Sequence, residues 1–316
     1  MASAAASAIA EELAAGRVLL LDGATGTELE RRGAPMSEAA WCALATASHG
    51  ALLRAIHEDY IRAGARVITA NTFASNPIML AAAGCGERFT ELNRRAVEIA
   101  LEARERAAGA TPVAVAGSLS HMVPMVAGSD ERDWARIPPL EQCARAFERM
   151  AATLAAAGAD LILLEMMHDP PLARAAVAAA RATGLPFWVG YSARADRRGE
   201  PVSFSRPDLP LAAMLEAIPA QGAAAAGIMH THLELTARVV PRLAERLAER
   251  LACPIAAYPD SGRFEMPRWR PDPALTPARF AAAARAWIEA GARIVGGCCG
   301  VGPAHIEALA GELARG

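Results

Sequence analysis

Eight times over, the chain follows a short apolar run with a longer stretch of helical period, and few architectures accept that rhythm. The apolar runs predict strands over Arg17–Leu21, Val67–Ala70, Val113–Ala116, Leu161–Leu164, Phe187–Gly190, Ala224–Ile228, Ile255–Ala257 and Arg293–Val295. These runs are continuously apolar and bounded by Gly or Pro, as strands buried on both faces are. Between them, sets such as Leu52, Ile56, Tyr60 and Ala63, or Phe280, Ala284, Trp287 and Ile288, line one face of a helix. Three helices end in Ala-Gly-Ala, at 63–65, 157–159 and 290–292, where the glycine serves as the left-handed residue before the next strand. Eight strand–helix units predict an α/β fold, a closed (β/α)8 TIM barrel forming one domain over residues 1–316. A doubly wound open sheet would carry a phosphate-type glycine loop after its first strand, and Asp22-Gly23-Ala24-Thr25-Gly26-Thr27 lacks the GxGxxG pattern. The long connections 119–140, 193–210 and 261–276 follow strand ends, so they fall on the C-terminal face, where barrels keep their chemistry.

Composition narrows the partners. A net charge of −2 gives no basis for a nucleic-acid or anionic-membrane partner, and no apolar run reaches membrane-spanning length. Six cysteines in 316 residues make no disulfide framework. Residues 1–14 carry Glu11 and Glu12 and no basic flank, so they read as a helix capping the domain and not as a signal peptide. The expected compartment is the reducing cytoplasm. Homo-oligomerisation is compatible with the sequence but not specified by it.

The chemistry is written at the strand ends. In order they finish on Asp22, Asn71-Thr72, Gly117-Ser118, Glu165, Tyr191-Ser192, His230 with His232 beyond it, Tyr258-Pro259-Asp260, and Cys298-Cys299. In a barrel these groups ring one mouth. The last pair lies in Gly296-Gly297-Cys298-Cys299-Gly300, where flexible backbone lets neighbouring thiols converge on one metal ion instead of forming a strained disulfide. Thiolate and imidazole donors select zinc, and Cys298, Cys299 and either His230 or His232 would supply three ligands. Three protein ligands leave a position open, the mark of a catalytic zinc that can hold a substrate thiol as thiolate.

Several blocks resemble the zinc-dependent homocysteine S-methyltransferase family, which includes betaine– and S-methylmethionine–homocysteine methyltransferases. They are DGATGTELERRG at 22–33, ANTF at 70–73, GS at 117–118, LLEM at 163–166, YPDSG at 258–262, LTPARF at 275–280 and WIEAGARIVGGCCGVGPAHI at 287–306. The resemblance covers residues 17–312 and implies methyl transfer to the thiol of homocysteine, giving methionine, with no catalytic residue beyond the zinc-activated thiol itself. By the same resemblance Cys298 and Cys299 are zinc ligands, Asp22 and Glu165 meet the amino acid's ammonium group, and Gly117 and Ser118 form a turn that receives its carboxylate. Asn71 is a pocket residue. The implied donor is an S-methylmethionine-like sulfonium or a betaine-like compound, for which Trp41, Phe73, Trp134 and Trp188 are candidate cage residues.

One departure matters. Where the family reads Gly-x-Asn-Cys and uses that cysteine as third ligand, this chain has Gly227-Ile228-Met229-His230. A second follows the cysteine pair, where Val301-Gly302 replaces two threonines. Zinc held by two thiolates and an imidazole is formally neutral, whereas three thiolates leave it at −1. A thiol bound to the neutral site is more acidic and its thiolate a weaker nucleophile. The expectation is zinc held by His230, Cys298 and Cys299, with slower or differently selective transfer, and His232 as a backup ligand. Two other functions compete. One is a divergent pseudoenzyme that binds a thiol or amino acid after losing its metal. The other is a metal-dependent hydrolase built on His230, His232, Asp260 and Glu165.

Overall fold

A computed structural model describes residues 3–218, 220–250 and 253–315. Its centre is a sheet of eight parallel strands: β1 Leu19–Leu20, β2 Val67–Thr69, β3 Ala114–Ser120, β4 Leu161–Met167, β5 Phe187–Tyr191, β6 Ala225–His232, β7 Ile255–Asp260 and β8 Ala292–Val295. From β2 to β8 each strand pairs with the next in sequence, and β1 pairs with β8 through Leu19↔Ile294 and Leu20↔Val295. The barrel closes where Leu21 bridges Val67 and the Arg66 N–H donates to the Leu20 carbonyl at 2.7 Å.

The strands divide the apolar residues into two cores. Side chains of alternate parity, among them Leu21, Ala116, Leu163, Met229 and Ile294, fill the barrel interior. The opposite parity packs under the surrounding helices, with Ile68, Val115, Ile162 and Ile228 against residues such as Ile56, Phe147 and Phe280. Helix Ala4–Ala14 buries Ile9 and Leu13 into the interior core, as expected of a capping helix; residues 1–2 lie outside the described residues. Ser3 caps that helix and also hydrogen-bonds Asp160. The Ala-Gly-Ala signals hold: Gly64, Gly158 and Gly291 have φ of 107°, 96° and 110°. Among the described residues no helix is long and apolar enough to cross a membrane.

Two differences from the sequence reading bear on the site. Strands β3, β4, β6 and β7 run three to four residues past the predicted ends, so Gly117, Ser118, Glu165 and His230 lie within strands and not after them. Ser118 and Glu165 turn their polar side chains inward while their backbones stay in the β3–β4 ladder, so polarity is no stop signal. The long connections also fold back as hairpins, Ala193–Ala195 with Pro201–Ser203 and Arg263–Glu265 with Arg268–Arg270. These hairpins stand over the C-terminal mouth.

Candidate metal centre and its cavity

The loop after β8 is pinned by its backbone. Gly297 N–H donates to the Asp22 carbonyl at 3.0 Å, Cys298 N–H to Pro259 at 2.7 Å, and Ser261 N–H to Cys299 at 2.9 Å. Glycine is required here: a Cβ on Gly297 would sit 2.1 Å from Val301, and one on Gly300, at φ 83°, 2.2 Å from the Ser261 carbonyl. The turn holds the two thiols 3.9 Å apart on one side of the mouth.

His230 reaches them by a break in β6. Ala226 and Ile228 pack outward under the helices, and strand alternation would send residue 230 the same way. Instead His230 adopts φ 40°, and the β6–β7 register shifts between Met229 and His232. The break turns the imidazole inward, with Nδ1 3.4 Å from Cys298 Sγ. The donor atoms of His230, Cys298 and Cys299 all lie within 4.8 Å of one another. Zinc bonds of about 2.3 Å to sulfur and 2.0–2.1 Å to nitrogen give tetrahedral edges of about 3.8 Å between sulfurs and about 3.6 Å between nitrogen and sulfur. The observed 3.9 and 3.4 Å match those edges, so the three residues fit a metal ion. His232 does not join them: its side chain is exposed and faces Glu234 at 4.0 Å.

The electrostatics of the protein alone suit a cation at this point. Cys298 is pushed well above the usual thiol range, first by the neighbouring Cys299 thiol and then by burial. Burial pulls His230 down, but Asp260, Cys298 and Glu165 outweigh it and hold the imidazole up at about 9. Asp260 lines a side cavity together with His230, and its Oδ1 is buried without a hydrogen-bond partner among the described residues.

The triad opens into a cavity of about 430 Å3. Asp22 and Glu165 line it. Asp22 accepts the Thr69 N–H at 2.6 Å and the Thr69 hydroxyl at 2.9 Å. Burial nonetheless pushes it up to about 8, with Glu165 adding to the rise. Burial likewise holds Glu165 up at about 7, opposed by a hydrogen bond from the Ser118 hydroxyl. Neither carboxylate makes an Arg or Lys ion pair among the described residues. Tyr258 adds a buried hydroxyl without a partner among the described residues.

The remaining sequence candidates divide. Ser118 faces inward and touches Glu165, whereas Gly117 faces outward, where a Cβ would meet Leu154 and Ala159. The expected turn at Gly117-Ser118 is therefore the middle of a strand. Asn71 lines the cavity, but its amide is engaged by the Cys42 carbonyl at 3.0 Å, the Thr46 hydroxyl at 3.1 Å and the Cys42 thiol at 3.2 Å. Trp41, Phe73 and Trp134 line the cavity, while Trp188 packs in the barrel interior. Sequence reasoning missed Phe204, Phe264 and Trp269, which the hairpin segments bring over the triad. Phe204 and Trp269 stand with ring centroids 5.4 and 5.8 Å from His230. The unusual length of those connections was the available signal.

The family model described as homocysteine S-methyltransferase matches residues 19–313. The chain belongs to the homocysteine S-methyltransferase family. Homocysteine S-methyltransferase of Escherichia coli (strain K12) is 31% identical over 301 residues, covering 92% of this chain and 94% of that protein. Homocysteine S-methyltransferase YbgG of Bacillus subtilis (strain 168) is 31% identical over 307 residues, 93% of each. The crystal structure of the homocysteine methyltransferase MmuM from Escherichia coli in a metallated form superposes with a TM-score of 0.72 at 28% identity, covering 97% of this chain and 99% of that one. The barrel and the family expected from the sequence both stand.

Proposed function

We propose that this protein is a zinc-dependent methyltransferase that moves a methyl group from an onium donor to the thiol of homocysteine, giving methionine. The observation that carries the reading is the set of three metal donors within 4.8 Å of one another, His230, Cys298 and Cys299, at the base of a cavity walled by two carboxylates with no Arg or Lys ion pair among the described residues. When bound there, zinc would supply the Lewis acidity that keeps a substrate thiol deprotonated at neutral pH. The protein's own residues do the rest. Asp22 and Glu165 receive the substrate's ammonium group, whose charge offsets the cost of burying both carboxylates. Ser118 fixes the Glu165 carboxylate through its hydrogen bond. The faces of Phe204, Trp269 and Trp41 offer an onium group cation–π contact and keep water from the reacting methyl. The substrate sulfur forms the new bond to the methyl carbon as the donor's heteroatom takes the bonding pair and leaves neutral.

Replacing a thiolate by His230 makes a zinc site there formally neutral, so the reading includes slower transfer than a three-cysteine relative shows. The chain acts as one homocysteine-binding barrel. Paired thiols that must stay reduced suit the cytoplasm. The test is to incubate zinc-loaded protein with homocysteine and either S-methylmethionine or glycine betaine carrying a deuterated methyl. Labelled methionine by mass spectrometry supports the reading. Zinc-loaded protein that transfers no label from either donor contradicts it.

A further inference from the structure

Beyond the metal centre, the cavity wall carries a second buried polar cluster. His121, after β3, and His168, after β4, are 1% and 6% exposed, and their rings meet edge to face with centroids 4.5 Å apart. Arg132 pairs with Asp169 through Nη1 at 2.8 Å. Its Nη2 lies 3.5 Å from His121 Nδ1 and 3.3 Å from His168 Nδ1. His121, Arg132, His168 and Ser205 all line the cavity.

Counting hydrogens shows what the cluster lacks. A neutral imidazole has one donor and one acceptor nitrogen. His121 is neutral, because burial and then Arg132 push it down to about 3. Its Nε2 accepts the His168 backbone N–H at 3.1 Å, so Nδ1 carries the hydrogen. The contact between His121 Nδ1–H and Arg132 Nη2 is therefore donor against donor. His168 Nδ1 offers at most one lone pair, and the Ser205 hydroxyl stands nearer to it, at 2.8 Å. His121 Nδ1–H and Arg132 Nη2–H thus face each other as donors on the cavity wall, where a ligand can supply the acceptor. Asp169 engages the guanidinium through Nη1 alone, which leaves Nη2–H beside His121 Nδ1–H for an acceptor with two oxygens.

We propose that this corner binds the carboxylate of the methyl donor, whose oxygens accept from His121 Nδ1–H and Arg132 Nη2–H. The placement fits. Phe204 lies between the two ends of the cavity, its ring centroid 5.6 Å from His168 and 5.4 Å from His230. A small donor anchored by its carboxylate at His121 and Arg132 sets its cationic head against Phe204, beside the thiol-binding end. This inference rests on the methyltransferase reading for the identity of the ligand, but its test contains no turnover.

Glycine betaine and S-methylmethionine are titrated calorimetrically into zinc-loaded protein without homocysteine, each beside its own carboxamide, which keeps the onium head and loses the anion. Arg132→Lys retains a cation for Asp169 but removes the forked second N–H pair. His121→Phe removes the other donor, and each variant is first checked for an unaltered unfolding midpoint. At least one acid should bind wild type about 10- to 100-fold more tightly than its amide, the worth of a charged hydrogen bond. Arg132→Lys should close that gap by weakening the acid and leaving the amide unchanged, and a folded His121→Phe should do the same. Equal affinity for acid and amide in wild type, no binding of either acid, or equal weakening of acid and amide by Arg132→Lys would each overturn the inference. Failure of methyl transfer to homocysteine would touch only the methyltransferase reading.

Discussion

Asp22→Asn isolates the role of the buried carboxylates, with methionine as the probe. Methionine shares the ammonium and carboxylate of homocysteine but has no thiol to lose a proton, so its pH dependence reports on the pocket. Asp22 is raised from 3.8 to about 8 by burial. A group of that pKa is ionised to about one part in eleven at pH 7 and half ionised at pH 8, so pairing it with an ammonium costs about 1 kcal/mol more at pH 7 than at pH 8. Truncating one partner of a buried charge pair costs about 2–5 kcal/mol. Taking about 3 kcal/mol at pH 8, the net loss in Asp22→Asn is about 2 kcal/mol at pH 7, or about 150-fold in affinity at pH 8 and about 30-fold at pH 7. The sign follows from the raised pKa: binding expels a proton, so wild-type affinity climbs with pH, about fivefold from pH 7 to 8, on account of Asp22 alone. Calorimetry in buffers of different ionisation enthalpy should find about 0.9 proton released from Asp22 at pH 7 and lost in the variant. Methionine binding Asp22→Asn as tightly as wild type, or wild-type affinity falling between pH 6 and 8, would refute the reasoning.

Two further perturbations test other parts of the structure. His57 is fully buried with neither ring nitrogen partnered among the described residues, and burial pushes it down to about 4. The unfolded chain takes up this proton near pH 6.5 and the folded one only near 4. Its share of stability is therefore present above pH 6.5 and lost toward pH 4, about 3 kcal/mol in all. His57→Leu should flatten that loss and raise stability by about 1–2 kcal/mol at pH 7; urea unfolding at pH 7 and 5 checks it, and a variant less stable at both would contradict it. Asp260→Asn should weaken metal binding about 10-fold, because the buried carboxylate favours positive charge at His230 and at a metal held beside it. Competition against a chromophoric chelator measures this, and an unchanged affinity would remove Asp260 from the account.

The eight strands were legible because each is a continuous apolar run, and the helix ends because glycine marks them. Strand ends were less legible. Ser118 and Glu165 look like loop residues, yet the β3–β4 ladder continues through them while their polar groups turn into a shared mouth. The thiol pair could be read from Cys298 and Cys299 between glycines. The inward aim of His230 could not, since it depends on a left-handed backbone at a non-glycine residue. The hairpins were hidden because RFE and RWR carry charge and no long apolar run. The corner joins His121 and Arg132 of the connection after β3 to His168 after β4, each ordinary by itself, and the pairing of the two strands brings them within hydrogen-bonding range.

The central claim is that a histidine completes the metal site of this methyltransferase, and metal content tests it most directly. Protein purified under reducing conditions and reconstituted with zinc is dialysed and assayed by mass spectrometry, beside His230→Ala treated identically. The account predicts about one zinc per chain in wild type and loss of most of it in the variant, which keeps only two ligands. Zinc-free wild type after reconstitution, or a variant that retains the full complement, would contradict it.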